Sequence, residues 1–431
     1  MASFDLLIQN ASEILSVQGE PGDPADRALT PIPRGALGIS NGRIAYLGAA
    51  ADLPPDAVGP RTQVIDALGG FVGPGFVDPH THLVFAGERS REFELRCGGA
   101  TYRQIAEAGG GIASTVHATR AASEDELVEL GRGRLHTMLE QGVTCAEVKS
   151  GYGLSLTDEL KMLRAIRRVS RLQPVELVPT LLCAHAIPPE LKPERERYVD
   201  ACVREIIPAA AEASLARFCD AFVDESAFTA DEARRILRAG ANHGLIPRLH
   251  ADQLANASTA ELAAELRASS ADHLEQVSES GIEALAQGNV AAVLAPVSSL
   301  FLRQAKYAPG RLLVEAGVNV ALATNFNPGS SMSENLALTL GLSCLGNGLS
   351  PAEAYWGLTR GAALALRRFD LGRLVLGGTA DVVVFGCRSY RHLPYHLAIN
   401  HARWVLKGGV AVVRADPQPL CDSADGPASF D

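Results

Sequence analysis

Five of the eleven histidines in this 431-residue chain fall where strand-like segments end. His80 and His82 follow the apolar run Phe71–Val77, in the stretch Phe76-Val-Asp-Pro-His-Thr-His-Leu83. A strand alternates its side chains with a period of two, so both imidazoles face one way. Paired neutral imidazoles suit a borderline metal such as zinc or iron. A bare His-x-His is common and decides nothing alone. His185, His250 and His273 close later segments, the last directly after Asp272. One histidine in such a place could be a core or capping residue. Five on one rim are hard to explain by packing and point to a metal site.

Other polar residues gather at the same ends. Lys149-Ser-Gly-Tyr152-Gly follows the second segment, Asp252-Gln253 follows His250, and Asn325-Phe-Asn327-Pro-Gly329-Ser330-Ser331 follows the last. Each has a plainer reading. Arg89 sits in a charged run, Glu88–Glu92, that would suit a solvated face. Tyr152 between glycines could be a turn residue, and His185 before Ala-Ile-Pro-Pro could cap a strand end. His117, His136 and His243 lie in helix-like segments and read as ordinary histidines. Gly109–Gly111 lacks the strand and lysine context of a phosphate loop.

The elements that must position these residues alternate between strand and helix, the pattern of a parallel α/β barrel. Eight strand candidates follow in order: Phe71–Val77, Val143–Val148, Glu176–Leu182, Ala221–Val223, Ile246–His250, Ala271–Leu274, Val290–Leu294 and Val318–Ala323. In such a barrel the active site gathers at the C-terminal strand ends. Ser123–Glu126, Thr229–Glu232 and Ser350–Glu353 read as capping boxes that start helices. Both chain ends are β-like instead. Asn41-Gly42 and Gly408-Gly409 mark hairpins, and Ala380–Phe385 is a strand. The expectation is a (β/α)8 TIM-like barrel over 71–370. A small β-sandwich would be built from 1–70 and 371–416, with a tail at 417–431.

Composition narrows the partners. The chain is 47% hydrophobic and 20% charged, ordinary globular material. A net charge of −10 argues against nucleic acid or an anionic membrane surface. No apolar run is long enough for a bilayer, and the first residues carry no basic segment of a secretory signal. Eight scattered cysteines without a Cys-x-x-Cys pair fit reduced thiols in a cytoplasm.

The motifs also carry a family likeness. The pieces are Asp78-Pro-His-Thr-His-Leu-Val-Phe-Ala-Gly-Glu-Arg89, Gly109–Thr115, Glu147-Val-Lys-Ser-Gly-Tyr-Gly-Leu154, Ser270-Ala-Asp-His-Leu274, Phe326–Ser331 and Pro394–His401. Together they resemble the amidohydrolase superfamily, and within it the imidazolone-opening hydrolases of histidine degradation, along nearly the whole chain. The resemblance implies that water adds to the ring carbonyl of 4-imidazolone-5-propanoate and the ring C–N bond opens, giving N-formimidoyl-L-glutamate. It implies one divalent or trivalent metal per chain, zinc or iron, held by His80, His82 and His250. His273 would be an acid/base near the leaving nitrogen. Arg89 would clamp the substrate's carboxylate tail. Tyr152 and His185 would complete the contacts, with Asn327, Gly329 and Ser330 as the binding loop. Lys149 as a carbamylated bridging ligand is disfavoured, because in the superfamily that lysine comes from a later strand. A homodimer is also implied.

The chain departs from this pattern at Asn325, where the family usually carries an Asp that contacts the metal and can take a proton from attacking water. Asparagine offers a carbonyl oxygen but is a very poor base. A weaker site or a higher water pKa should follow. Gln253 stands where some members carry Glu and others Gln, which suggests substrate hydrogen bonding. With both neutral, His273 is the best remaining base. A working enzyme is favoured, because every element of the binding loop surrounds the change. Two rivals are a related amidohydrolase deaminating a cyclic amidine, and a non-catalytic ligand-binding homologue.

Overall fold

The computed structural model describes residues 3–23, 25–99, 110–224, 227–415 and 420. Apart from Leu420, the expected tail lies outside these residues, as does Gly109 of the glycine run. Eight parallel strands run side by side in sequence order: Phe76–Asp78, Val143–Lys149, Glu176–Ala184, Phe218–Phe222, Ile246–Ala251, Ser270–His273, Ala291–Leu294 and Val320–Leu322. Helices cover the outside, so the strands are buried on both faces. All seven residues of Val143–Lys149 are buried, for example. The first and last strands meet just beyond their ends. The His82 amide donates to the Phe326 carbonyl at 2.9 Å, and the Asn325 amide to the His80 carbonyl at 3.1 Å. Asp78 ties the same seam, accepting from the Thr324 hydroxyl at 2.6 Å.

Local sequence explains the helix starts. Ser123, Thr229 and Ser350 each accept from the backbone three residues on, and the glutamate there bonds back to the cap. Two further sheets lie at the chain ends. One sets Leu6–Gln9 between Gly35–Ser40 and Gln63–Asp66, with Arg43–Ala49 on the outer side of Gly35–Ser40. The other mixes both ends, setting Val382–Phe385 beside Val72–Pro74 and Ala402–Lys407. A separate apolar cluster, including Leu6, Ile8, Ile39, Val72, Val382 and Leu406, fills the space between them. Both hairpins turn through left-handed pairs, with φ 52° and 72° at Asn41-Gly42 and 55° and 80° at Gly408-Gly409. Such pairs match the twist of the flanking strands.

Two strands differ from expectation. Phe71–Val77 is not one barrel strand. Val72–Pro74 joins the end sheet, and the barrel strand starts at Phe76. The chain changes sheets at Gly75, where a Cβ would lie 2.2 Å from the Thr144 hydroxyl. The fourth strand is Phe218–Phe222, starting earlier than Ala221. Asp220 interrupts its apolar run, and that aspartate belongs to the site.

Candidate active site

The barrel brings three histidines to one point. His80 and His82 extend the first strand, and His250 lies near the end of the fifth. The Nε2 atom of His82 is 3.2 Å from that of His80 and 3.3 Å from that of His250. The other ring nitrogens of His80 and His250 face carboxylates, which bias their tautomers. His80 Nδ1 donates to Asp272 Oδ2 at 2.6 Å, and His250 Nδ1 lies 3.2 Å from Asp220 Oδ2. The His80 bond, and the Asp220 carboxylate facing His250 Nδ1, favour Nδ1 protons on the outside and Nε2 lone pairs of both rings pointing inward. Convergent lone pairs repel one another in a buried site. A cation between them turns that repulsion into ligation. A tetrahedral ion with bonds of about 2.0 Å has its nitrogens roughly 3.3 Å apart, the spacing found here. The residues therefore fit a metal ion.

Beneath the imidazoles lies a buried charged layer. Lys149 Nζ donates to Glu147 Oε1 and Asp220 Oδ2, each at 2.8 Å. Arg248 donates to Asp272 Oδ2 at 2.9 Å. Burial alone would raise the Asp220 carboxyl, but Lys149 and His250 outweigh it and hold the group ionised. Burial would likewise raise Asp272, and Arg248 with Lys149 reverse it. Burial pushes His80, His82 and His250 down, so all three stay neutral as ligands must. Lys149 is thus paired with two carboxylates, and one of them, Asp220, stands between it and His250.

The remaining expected residues surround this centre unevenly. The His185 ring stacks on His82 with centroids 5.0 Å apart, and its Nδ1 lies 3.0 Å from the Gly151 carbonyl. Burial, with His250 nearby, lowers its pKa to about 3. Tyr152 packs beside both rings, 5.9 Å from His82 and 5.2 Å from His185. The His273 ring is 5.3 Å from both His80 and His250, and its buried Nδ1 has no hydrogen-bond partner. Gln253 is buried just past His250. Asn325 has a left-handed backbone, φ 49°, and its buried Oδ1 has no hydrogen-bond partner.

The loop after strand eight is built by its own side chains. Asn327 Oδ1 accepts from the Gly329 and Ser330 amides at 2.8 Å each, while its Nδ2 donates to the Asn325 carbonyl and the Ser330 hydroxyl. Asn327 was expected, with Gly329 and Ser330, in a loop that binds through backbone and hydroxyl groups. The hydrogen-bonding capacity of its side chain is taken up within the loop, so that side chain shapes the loop. Arg89 reaches the same loop. Its Nε and one terminal nitrogen hold Glu92 at 2.8 and 2.7 Å, and its other terminal nitrogen lies against Gly329, where a Cβ would come within 2.5 Å.

Several functional groups escaped the sequence reading. Arg248 and Asp220 sit inside strands, where a charge breaks the apolar pattern. A charge inside a strand of a covered barrel must be paired, and that is the signal that could have found them. Glu159 is less visible. From within the helix Leu156–Val169 it accepts the Gly151, Gly153 and Leu154 amides and so fixes the Tyr152 loop. Arg96 donates to the Gly329 carbonyl at 3.2 Å.

A model of the amidohydrolase family matches residues 98–413. The imidazolonepropionase of Myxococcus xanthus is 64% identical over 96% of this chain and 98% of its own. This chain belongs to the imidazolonepropionase family of amidohydrolases. The family's member from Symbiobacterium thermophilum is 46% identical over 96% of this chain and 98% of its own. Among solved structures, a 5-methylcytosine deaminase from Klebsiella pneumoniae superposes with a TM-score of 0.74 at 17% identity, covering 96% of this chain and 98% of its own. A zinc-bound adenosine deaminase from Xanthomonas campestris gives 0.67 at 19%, covering 96% and 94%. At that identity the likeness is one of fold.

Proposed function

We propose that this chain hydrolyses the ring amide of 4-imidazolone-5-propanoate to N-formimidoyl-L-glutamate, with zinc or iron as its metal. The observation that carries the reading is the inward convergence of His80, His82 and His250 in a chain 64% identical to an imidazolonepropionase. The ion, when bound, would lower the pKa of a water molecule and polarise the ring carbonyl. The chain's own residues do the rest. Arg89 takes the propanoate tail, held in place by Glu92. Tyr152 and the neutral His185 present a phenol and an imidazole to the ring. Gln253 and the Ser330 hydroxyl supply further hydrogen bonds.

The reaction forms a bond from water oxygen to the carbonyl carbon, breaks the ring C–N bond and needs a proton at the leaving nitrogen. His273, adjacent to His80 and His250, moves that proton. Asn325 can offer its Oδ1 to the ion but cannot accept a proton there. The test is formation of formimidoylglutamate by purified, metal-loaded protein. Arg89→Ala should raise the Michaelis constant for imidazolonepropionate at least tenfold. An unchanged constant would favour deamination of a neutral cyclic amidine, which needs no carboxylate clamp.

A further inference from the structure

A second group of three histidines lies apart from the barrel mouth. Among the described residues, only His80, His82 and His250 and the set His392, His396 and His401 bring three ligand atoms within 4.8 Å of one another. The ring centroids of the second set are 5.6, 5.3 and 5.0 Å apart. Those of the first are 5.2, 4.6 and 5.4 Å. The two triangles are nearly the same size, and neither contains a carboxylate.

The backbone explains the second triangle. His392 opens the short helix His392–Tyr395, and the His396 amide closes its turn on the His392 carbonyl at 2.9 Å. Four residues apart on one turn, their side chains share a face. His401 comes from the other side, directly before the strand Ala402–Lys407. Its carbonyl accepts the Gly386 amide at 2.7 Å, and Asn400 beside it is tied to the Glu140 carbonyl at 2.9 Å. His396 is exposed and His392 half-buried, so the site opens to solvent on one side.

We propose that His392, His396 and His401 form a second metal site, for a divalent ion of the zinc class, with its fourth position open to water. Three imidazoles are a borderline-soft donor set, which selects zinc, nickel or copper over magnesium or calcium. The nitrogens need only close from within 4.8 Å to the ~3.3 Å of a tetrahedral ion, a side-chain rotation at a half-open site. The ion would fasten the His392–His396 turn to the end-sheet strand. The proposal is independent of the reaction proposed above.

The test titrates chelator-stripped protein with zinc against a chromophoric competitor. Native chain should take two equivalents, and the His392→Ala/His396→Ala variant one, with formation of formimidoylglutamate unchanged. Equal stoichiometry in the two proteins overturns the site. If that variant does not fold, His80→Ala/His82→Ala provides the complementary arm. It should retain one equivalent, and binding none overturns the proposal.

Discussion

Asn325 is the residue where the proposed site departs from the expected pattern. Its Oδ1 is buried with no hydrogen-bond partner, and it stands where a carboxylate would serve both as ligand and as base. Asn325→Asp should raise kcat roughly 10- to 100-fold, the lower part of the range for an added general base. Steady-state kinetics at matched metal loading checks this, and an unchanged kcat would show that His273 alone suffices. Lys149 tests the layer beneath. Lys149→Met leaves Glu147 and Asp220 buried without their cation, and should cost about 3–5 kcal/mol in denaturant unfolding. The cluster of His80, His82 and His250 was foreshadowed because five histidines on one rim are hard to explain by packing, and the family likeness named these three. Asp220 and Arg248 were not foreshadowed, since each looks like a break in a strand until its partner is known.

At the level of elements, the loop after strand eight and the turn at Arg89 act together. The Arg89 guanidinium lies where a Cβ on Gly329 would be, so the glycine leaves room for it. In Gly329→Ala that flexible side chain can move aside, so stability should stay within about 1 kcal/mol. The displaced clamp should raise the Michaelis constant about tenfold with little change in kcat. A fall in kcat alone would place Gly329 in the chemistry instead. The capping boxes and both hairpins followed from local sequence, because a cap or a left-handed pair is decided within four residues. The division of Phe71–Val77 was not visible. Which sheet each half joins depends on Val382–Phe385, some 300 residues away, and on the Thr144 side chain against Gly75.

For the molecule as a whole, the second end sheet draws strands from both termini, so neither end completes it alone. A chain stopped at Asp370 would lose Val382–Phe385 and expose the Val72–Pro74 edge with its apolar cluster. It should lack a cooperative thermal transition, and a sharp melt near that of native protein would contradict this. Acid should also destabilise the metal-free protein. His185 is neutral in the fold down to about 3, against an ordinary value of 6.5. Between those limits the unfolded chain binds the proton and the folded chain does not, so stability falls as pH drops. The slope is ~1.4 kcal/mol per pH unit from this group, fully felt below the ordinary value. Urea unfolding from pH 7 to 5 measures it, and a flat profile would contradict a buried neutral His185. The most direct measurement of the central claim is the yield of formimidoylglutamate from imidazolonepropionate, with native protein and His250→Ala compared at measured metal content. Native protein carrying metal should form the product, and the variant should lose the barrel-site equivalent of metal together with the activity. Metal-loaded native protein that forms none above buffer would contradict the account.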